Sequence, residues 1–115
     1  MSEVEELNRR LDEHSAILLR DSMEYAKLAR KAVESRNVYD IAKSRALLKI
    51  KDGTVAEKTA QATLECEPQM IEARIAEAHL DAMKTRLKSV SDSLSAVQTK
   101  ARLLKTESDL NNYRP

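Results

Sequence analysis

A chain of 115 residues with 42% hydrophobic side chains but only three aromatic ones, Tyr25, Tyr39 and Tyr113, has room for one domain and excludes a core built on large rings. Its 20 basic and 19 acidic residues nearly cancel, at +1, so any attraction to a polyanion must come from local clustering. No run of about 18 apolar residues is present, which excludes a membrane-spanning helix. The acidic, polar start Met1-Ser2-Glu3-Val4-Glu5-Glu6 does not read as a secretory leader. Cys66 is the sole cysteine, which excludes an internal disulfide and suits a reducing compartment.

Ala, Leu, Glu, Lys and Arg dominate, a composition of long helices with thin seams between them. Residues 3–51 lack Gly and Pro. Steps of three and four link Val4, Leu7, Leu11, His14, Leu18, Asp21, Tyr25, Leu28, Ala32, Ser35, Tyr39, Ala42 and Ala46, the spacing of one helix face. His14, Asp21 and Ser35 are polar exceptions on that face. A second stripe (Ala16, Leu19, Met23, Ala26, Val33) widens it, as in a helix touching two neighbours. Unbroken, the helix would be roughly 70 Å long. Glu34 to Val38 is its weakest stretch, with Asn37 a candidate interruption; a bend there would give a compact three-helix monomer instead.

Asp52-Gly53 is expected to end this helix, with Lys49 and Lys51 in its last turn, where cations suit the helix dipole. Thr54-Val55-Ala56-Glu57 reads as a capping box opening a short helix over 55–65. Pro68 suits the first turn of a third helix, 68–108. Ala73, Ala76, Leu80, Met83, Leu87, Val90, Leu94, Val97, Ala101 and Leu104 give that helix ten successive coiled-coil positions. The pattern fades beyond Lys105, and residues 111–115 are expected to fray. The expectation is an all-α fold: a long antiparallel helical hairpin, coiled-coil-like, with the short helix at the turn. A lone hairpin leaves flanks uncovered, so a homo-oligomer is expected.

Charge is blocked along the chain. Residues 1–24 sum to −4, 27–51 to +6, 52–81 to −5 and 84–105 to +5. Such blocks mark either a polyanion-binding surface or self-association of opposite patches.

Little in the sequence supports catalysis. His14 and His79 lack companions at metal-ligand spacing, and His14 sits on the apolar stripe as a packed residue would. Cys66 is expected to pack as a small apolar side chain. One glycine cannot build a phosphate-binding loop. No metal or cofactor is expected. The candidate binding residues are Lys27, Arg30 and Lys31, within one turn of each other, followed by Lys43 and Arg45, then Lys49 and Lys51. With Tyr25 and Tyr39 nearby, such a cationic strip can follow a phosphate backbone while a base stacks. A solvated helix face is the plain alternative. The later basic residues, Lys84, Arg86, Lys88, Lys100, Arg102 and Lys105, either join this strip across the hairpin or pair with Glu and Asp of a neighbouring subunit.

The segment Ile41-Ala42-Lys43-Ser44-Arg45-Ala46-Leu47-Leu48-Lys49-Ile50-Lys51-Asp52-Gly53 resembles the phage recombination mediator family typified by UvsY, in its Lys-x-Arg pair on a helix followed by apolar residues and a glycine turn. Tyr25-Ala26-Lys27 upstream, the Glu57-Lys58-Thr59 helix and a final long helix with Lys84 and Arg86 keep the same order, over roughly residues 20–105. The chain carries Leu47 and Leu48 where the family has an aromatic pair. The resemblance implies a ring of several subunits that binds single-stranded DNA through the basic motif. It also implies two protein partners, a RecA-type recombinase that it helps to load and a single-strand-binding protein that it helps to displace. A cytoplasmic location follows, the host cell's cytoplasm if the chain is phage-encoded. A coiled-coil adaptor or scaffold without nucleic-acid binding is the competing expectation, and a small phage inhibitor of a host protein a third.

Overall fold

The structure, a computed structural model, describes residues 2–112. It is all-α: α1 spans Glu3–Lys49, α2 Val55–Glu65 and α3 Glu67–Asn112, with no strand among the described residues. No helix among them is long and apolar enough to cross a membrane.

Ser2 starts α1. Its hydroxyl accepts from the Glu5 N–H at 3.1 Å, and its own N–H donates to the Glu5 carboxylate at 3.4 Å. This is a reciprocal capping box, legible in Ser2-Glu3-Val4-Glu5 but outside the expectations above. Glu3, Glu5 and Glu6 add negative charge where the helix dipole favours it. The helix then continues unbroken through Glu34–Val38, so Asn37 is not an interruption. Ala32 and Tyr39 are buried on either side of that stretch and hold it to its neighbour, and Arg36 pairs with Asp40 at 3.4 Å along the surface.

The chain divides into two compact units. One combines α1 through Glu24 with α3 from Lys84; the other is Tyr25–Met83. In the first, Leu7 lies opposite Ala101 and Leu104, His14 and Ile17 lie opposite Val90 and Ser93, and Asp21 meets Arg86. Rising numbers in α1 meet falling numbers in α3, so the two segments run antiparallel. In the second unit Leu28 lies beside Ala76, and Ala32 beside Leu80. Further along, Tyr39, Ala46, Ala62, Cys66 and Ala73 form one core cluster, bordered by Ala42, Leu47, Ile50 and Met70. The pairing is again antiparallel. Small residues make up most of the buried apolar set among the described residues, Ala32, Ala46, Ala62, Cys66, Ala73 and Ala76, with Leu7, Tyr39 and Val97 the larger ones. Each buried methyl group contributes only about 0.8 kcal/mol, so such a seam gains stability from its length.

The turn differs from expectation in detail. α1 stops at Lys49, not residue 51, and Lys51 lies beyond the helix. The Ile50 N–H donates to the Leu47 carbonyl at 3.3 Å, tightening the last turn, and the Ile50 side chain packs against the core cluster. Gly53, with φ +116°, therefore does not close α1; it forms the bend before Thr54. The Thr54 hydroxyl accepts from the Glu57 N–H at 3.2 Å and caps α2, one half of the expected capping box. α2 does not span the turn. Its Ala62 packs in the core cluster with Ala46, so it lies alongside the end of α1 as the first part of the return limb. One residue, Cys66, joins it to α3. Pro68 sits second in α3, where its missing N–H has no intrahelical partner to lose. α3 runs past residue 108 to Asn112, since neither Gly nor Pro intervenes. Asn111 and Asn112 are thus helical rather than frayed, and residues 113–115 of the expected frayed end lie outside the described residues.

Candidate nucleic-acid interface

All seven candidate cations belong to the Tyr25–Met83 unit, six of them on α1. Lys27, Arg30, Lys31, Arg45, Lys49 and Lys51 are exposed, and Lys43 is half-buried. At about 100° of helix turn per residue, Lys27, Lys31, Arg45 and Lys49 fall within a sector of about 40°. They form one row beside the α1 seam, and about 27 Å of helix separates Lys27 from Arg45. Arg30 projects further round, toward the outer face. Lys43 does not join the row. Two residues from Arg45 is about 200° of rotation, which puts the Lys-x-Arg pair on opposite flanks. The structure places Lys43 over the ring of Tyr39, with its ammonium 5.9 Å from the centroid, beside Arg36 at 5.6 Å. Lys51, beyond the helix, borders a groove with Lys49, Gln61 and Glu65.

No ion pair or side-chain hydrogen bond engages Lys27, Arg30, Lys31, Arg45 or Lys49 among the described residues. Other cations are committed. Arg9 bridges Glu6 and Glu13, and its hydrogen bond holds the Glu6 carboxyl below the ordinary carboxylate range while raising the Arg9 guanidinium. Arg20 lies 3.7 Å from Asp21, and Arg36 is tied to Asp40. Arg86 donates to Asp21 of the same chain at 2.6 Å, a partner that neither of its two expected roles named.

The row has carboxylate neighbours. Glu72 borders a groove with Lys31, and Glu65 borders one with Lys49. In this unit the +6 block of residues 27–51 packs alongside the −5 block of residues 52–81; in the other, the −4 block of residues 1–24 packs alongside the basic block starting at Lys84. Blocks of opposite charge thus lie side by side within each unit, and Asp21–Arg86 is an ion pair seen to join the two limbs among the described residues. The row keeps free cations within a nearly neutral unit, so one chain offers a polyanion only short-range attraction, within about 8 Å at physiological salt.

The expected ring contribution is absent from Tyr39. It is 6% exposed, lies in the core cluster, and cannot receive a base. Tyr25 is half-buried on the seam, and Tyr113 lies outside the described residues. Between the two cation pairs Val38 lies on the row, Glu34 beside it, and Ile41 about 60° from Val38 toward the outer face. Val38 and Ile41, 54% and 52% exposed, stand between the two cation pairs. The sequence reasoning did not select them, although seven-residue spacing from Lys31 through Val38 to Arg45 places all three on one line.

The remaining candidates are accounted for by packing. Cys66 is buried and free. His14 is half-buried, and its Nδ1–H donates to the Arg10 carbonyl at 2.7 Å. His79 is exposed on the rim of a groove with Leu28, Lys31 and Ile75. No group of three or more His, Cys, Asp or Glu could hold a metal ion among the described residues. Comparison with protein-family models, curated proteins and solved structures finds no match to this chain.

Proposed function

We propose that this chain is a non-enzymatic single-stranded-DNA-binding protein that acts as a recombination mediator, helping to load a RecA-type recombinase and to displace single-strand-binding protein. The observation that carries the reading is the row of unpaired, exposed cations Lys27, Lys31, Arg45 and Lys49 along one side of α1. The mediator role comes from the resemblance at Ile41–Gly53. Each row supplies a handful of phosphate contacts, which makes single-chain affinity weak and salt-sensitive. A ring of copies would repeat the row and multiply affinity through effective concentration. Exposed Leu19, Met23, Val33, Ile71 and Ile75 give such a homo-oligomer apolar surface to bury. The location that goes with this role is the cytoplasm, the host cell's if the chain is phage-encoded.

One observation favours a second reading, an oligomeric adaptor without nucleic-acid binding. The chain carries opposite charge blocks, +6 over residues 27–51 and −5 over residues 52–81, and their pairing between subunits would give the basic block a structural use. The two readings part on binding to a labelled single strand at low salt, with sedimentation on the same samples. For the mediator, Lys27→Ala and Arg45→Ala each weaken binding about three- to fivefold without changing the assembled mass, and Lys43→Ala weakens it less. An absent shift at low salt, with assembly that dissociates as salt rises, favours the adaptor.

A further inference from the structure

We infer that Val38 and Ile41 form an apolar bridge between two phosphate-binding cation pairs and contact unpaired bases, so that the α1 row prefers a single-stranded nucleic acid to a polyanion made of phosphate alone. This inference rests on the phosphate-binding reading of the row. Lys27 and Lys31 are one turn apart, as are Arg45 and Lys49, and Val38 lies midway between Lys31 and Arg45 on the same side of the helix. Ile41 lies about one turn beyond Val38, displaced about 60° toward the outer face. Both side chains are more than half exposed in a unit whose seam already holds α1 by Ala32, Tyr39 and Ala46 on its other side. They therefore add little to the fold of one chain and offer apolar surface that a ligand can bury.

Charge identifies that ligand. The cations at both ends attract a polyanion, and one with apolar faces in the middle gains more from this site than one without them. A single strand meets both requirements, since its phosphates lie along one edge and its unstacked bases present apolar faces. A duplex hides those faces, and inorganic polyphosphate has none. The buried Tyr39 ring leaves the aliphatic pair as the apolar surface between the cations. Glu34, exposed on the same row between Lys31 and Val38, repels phosphate there and keeps the phosphate contacts at the two ends.

The test measures binding of the full chain to a labelled oligothymidylate of about 15 nucleotides and to inorganic polyphosphate, with sedimentation of each sample. Alanine at both positions keeps the helix, so Val38→Ala with Ile41→Ala should weaken oligonucleotide binding by about fivefold and leave polyphosphate binding unchanged. Lys27→Ala with Arg45→Ala should weaken both ligands alike. Equal loss of the two ligands in the aliphatic variant, no loss of either, or a fall in assembled mass overturns the inference; the last would mean that a second copy covers the pair. If the lysine and arginine variant leaves both affinities unchanged, the phosphate-binding reading itself fails.

Discussion

Asp21 occupies a position in α1 that heptad spacing reserves for an apolar side chain, and it is 4% exposed. A buried carboxylate is tolerated because Arg86, on the antiparallel segment of α3, donates to it at 2.6 Å, with Arg20 3.7 Å away. The pair is asymmetric. The Arg86 side chain is 54% exposed and can regain water when its partner is lost, while Asp21 cannot. Arg86→Ala should therefore destabilise by about 2–3 kcal/mol, and Asp21→Ala by about 1 kcal/mol or less, as read by urea unfolding. Equal costs would mean that the carboxylate is solvated in solution. Asp21→Leu, which restores the seam pattern, should be neutral or stabilising. The polar exception at Asp21 was legible in the sequence; its partner was not, because contact between residues 65 apart depends on how the helices align. The candidate site was legible to a similar extent. The basic block stands out in composition, yet the division of Lys43 from Arg45 follows from helix rotation and the position of Tyr39.

The helices themselves were the most legible level, because a 3.5-residue period can be counted directly. Every one of the ten seam positions on α3 is buried or half-buried, and on α1 only Val4 of the thirteen is exposed. The second stripe behaves differently. Ala16, Leu19, Met23, Ala26 and Val33 are all exposed, so a single chain supplies no second neighbour for α1. Apolar spacing marks a face able to pack but does not say whether the same chain covers it. Helix ends were less legible. Where α1 stops depends on Ile50 reaching the core cluster, a tertiary event, and that displaces Gly53 from a helix cap to the bend before α2. Two substitutions test this bend by thermal unfolding. Thr54→Ala removes the hydroxyl that caps α2 and should cost about 1 kcal/mol. Gly53→Ala should cost about 1–2 kcal/mol, since φ +116° strains any side chain and a Cβ would meet the Glu57 carboxylate at 3.0 Å. A neutral Gly53→Ala would mean that the bend relaxes freely.

At the scale of the whole chain, charge works in two ways. Opposite blocks face each other within each unit, which favours the antiparallel alignment and disfavours a shifted one. On this background Lys27, Lys31, Arg45 and Lys49 stay unpaired and face solvent. Binding through them must then release counterions in proportion to the phosphates engaged. The most direct measurement is the salt dependence of single-stranded DNA binding, compared between the chain and its Lys27→Ala, Arg45→Ala double variant. Four phosphate contacts per engaged chain give a slope of about −2.8 in log affinity against log salt, and loss of two contacts should bring it to about −1.4. An unchanged slope in the double variant, or no binding at low salt, would contradict a phosphate-binding row on α1.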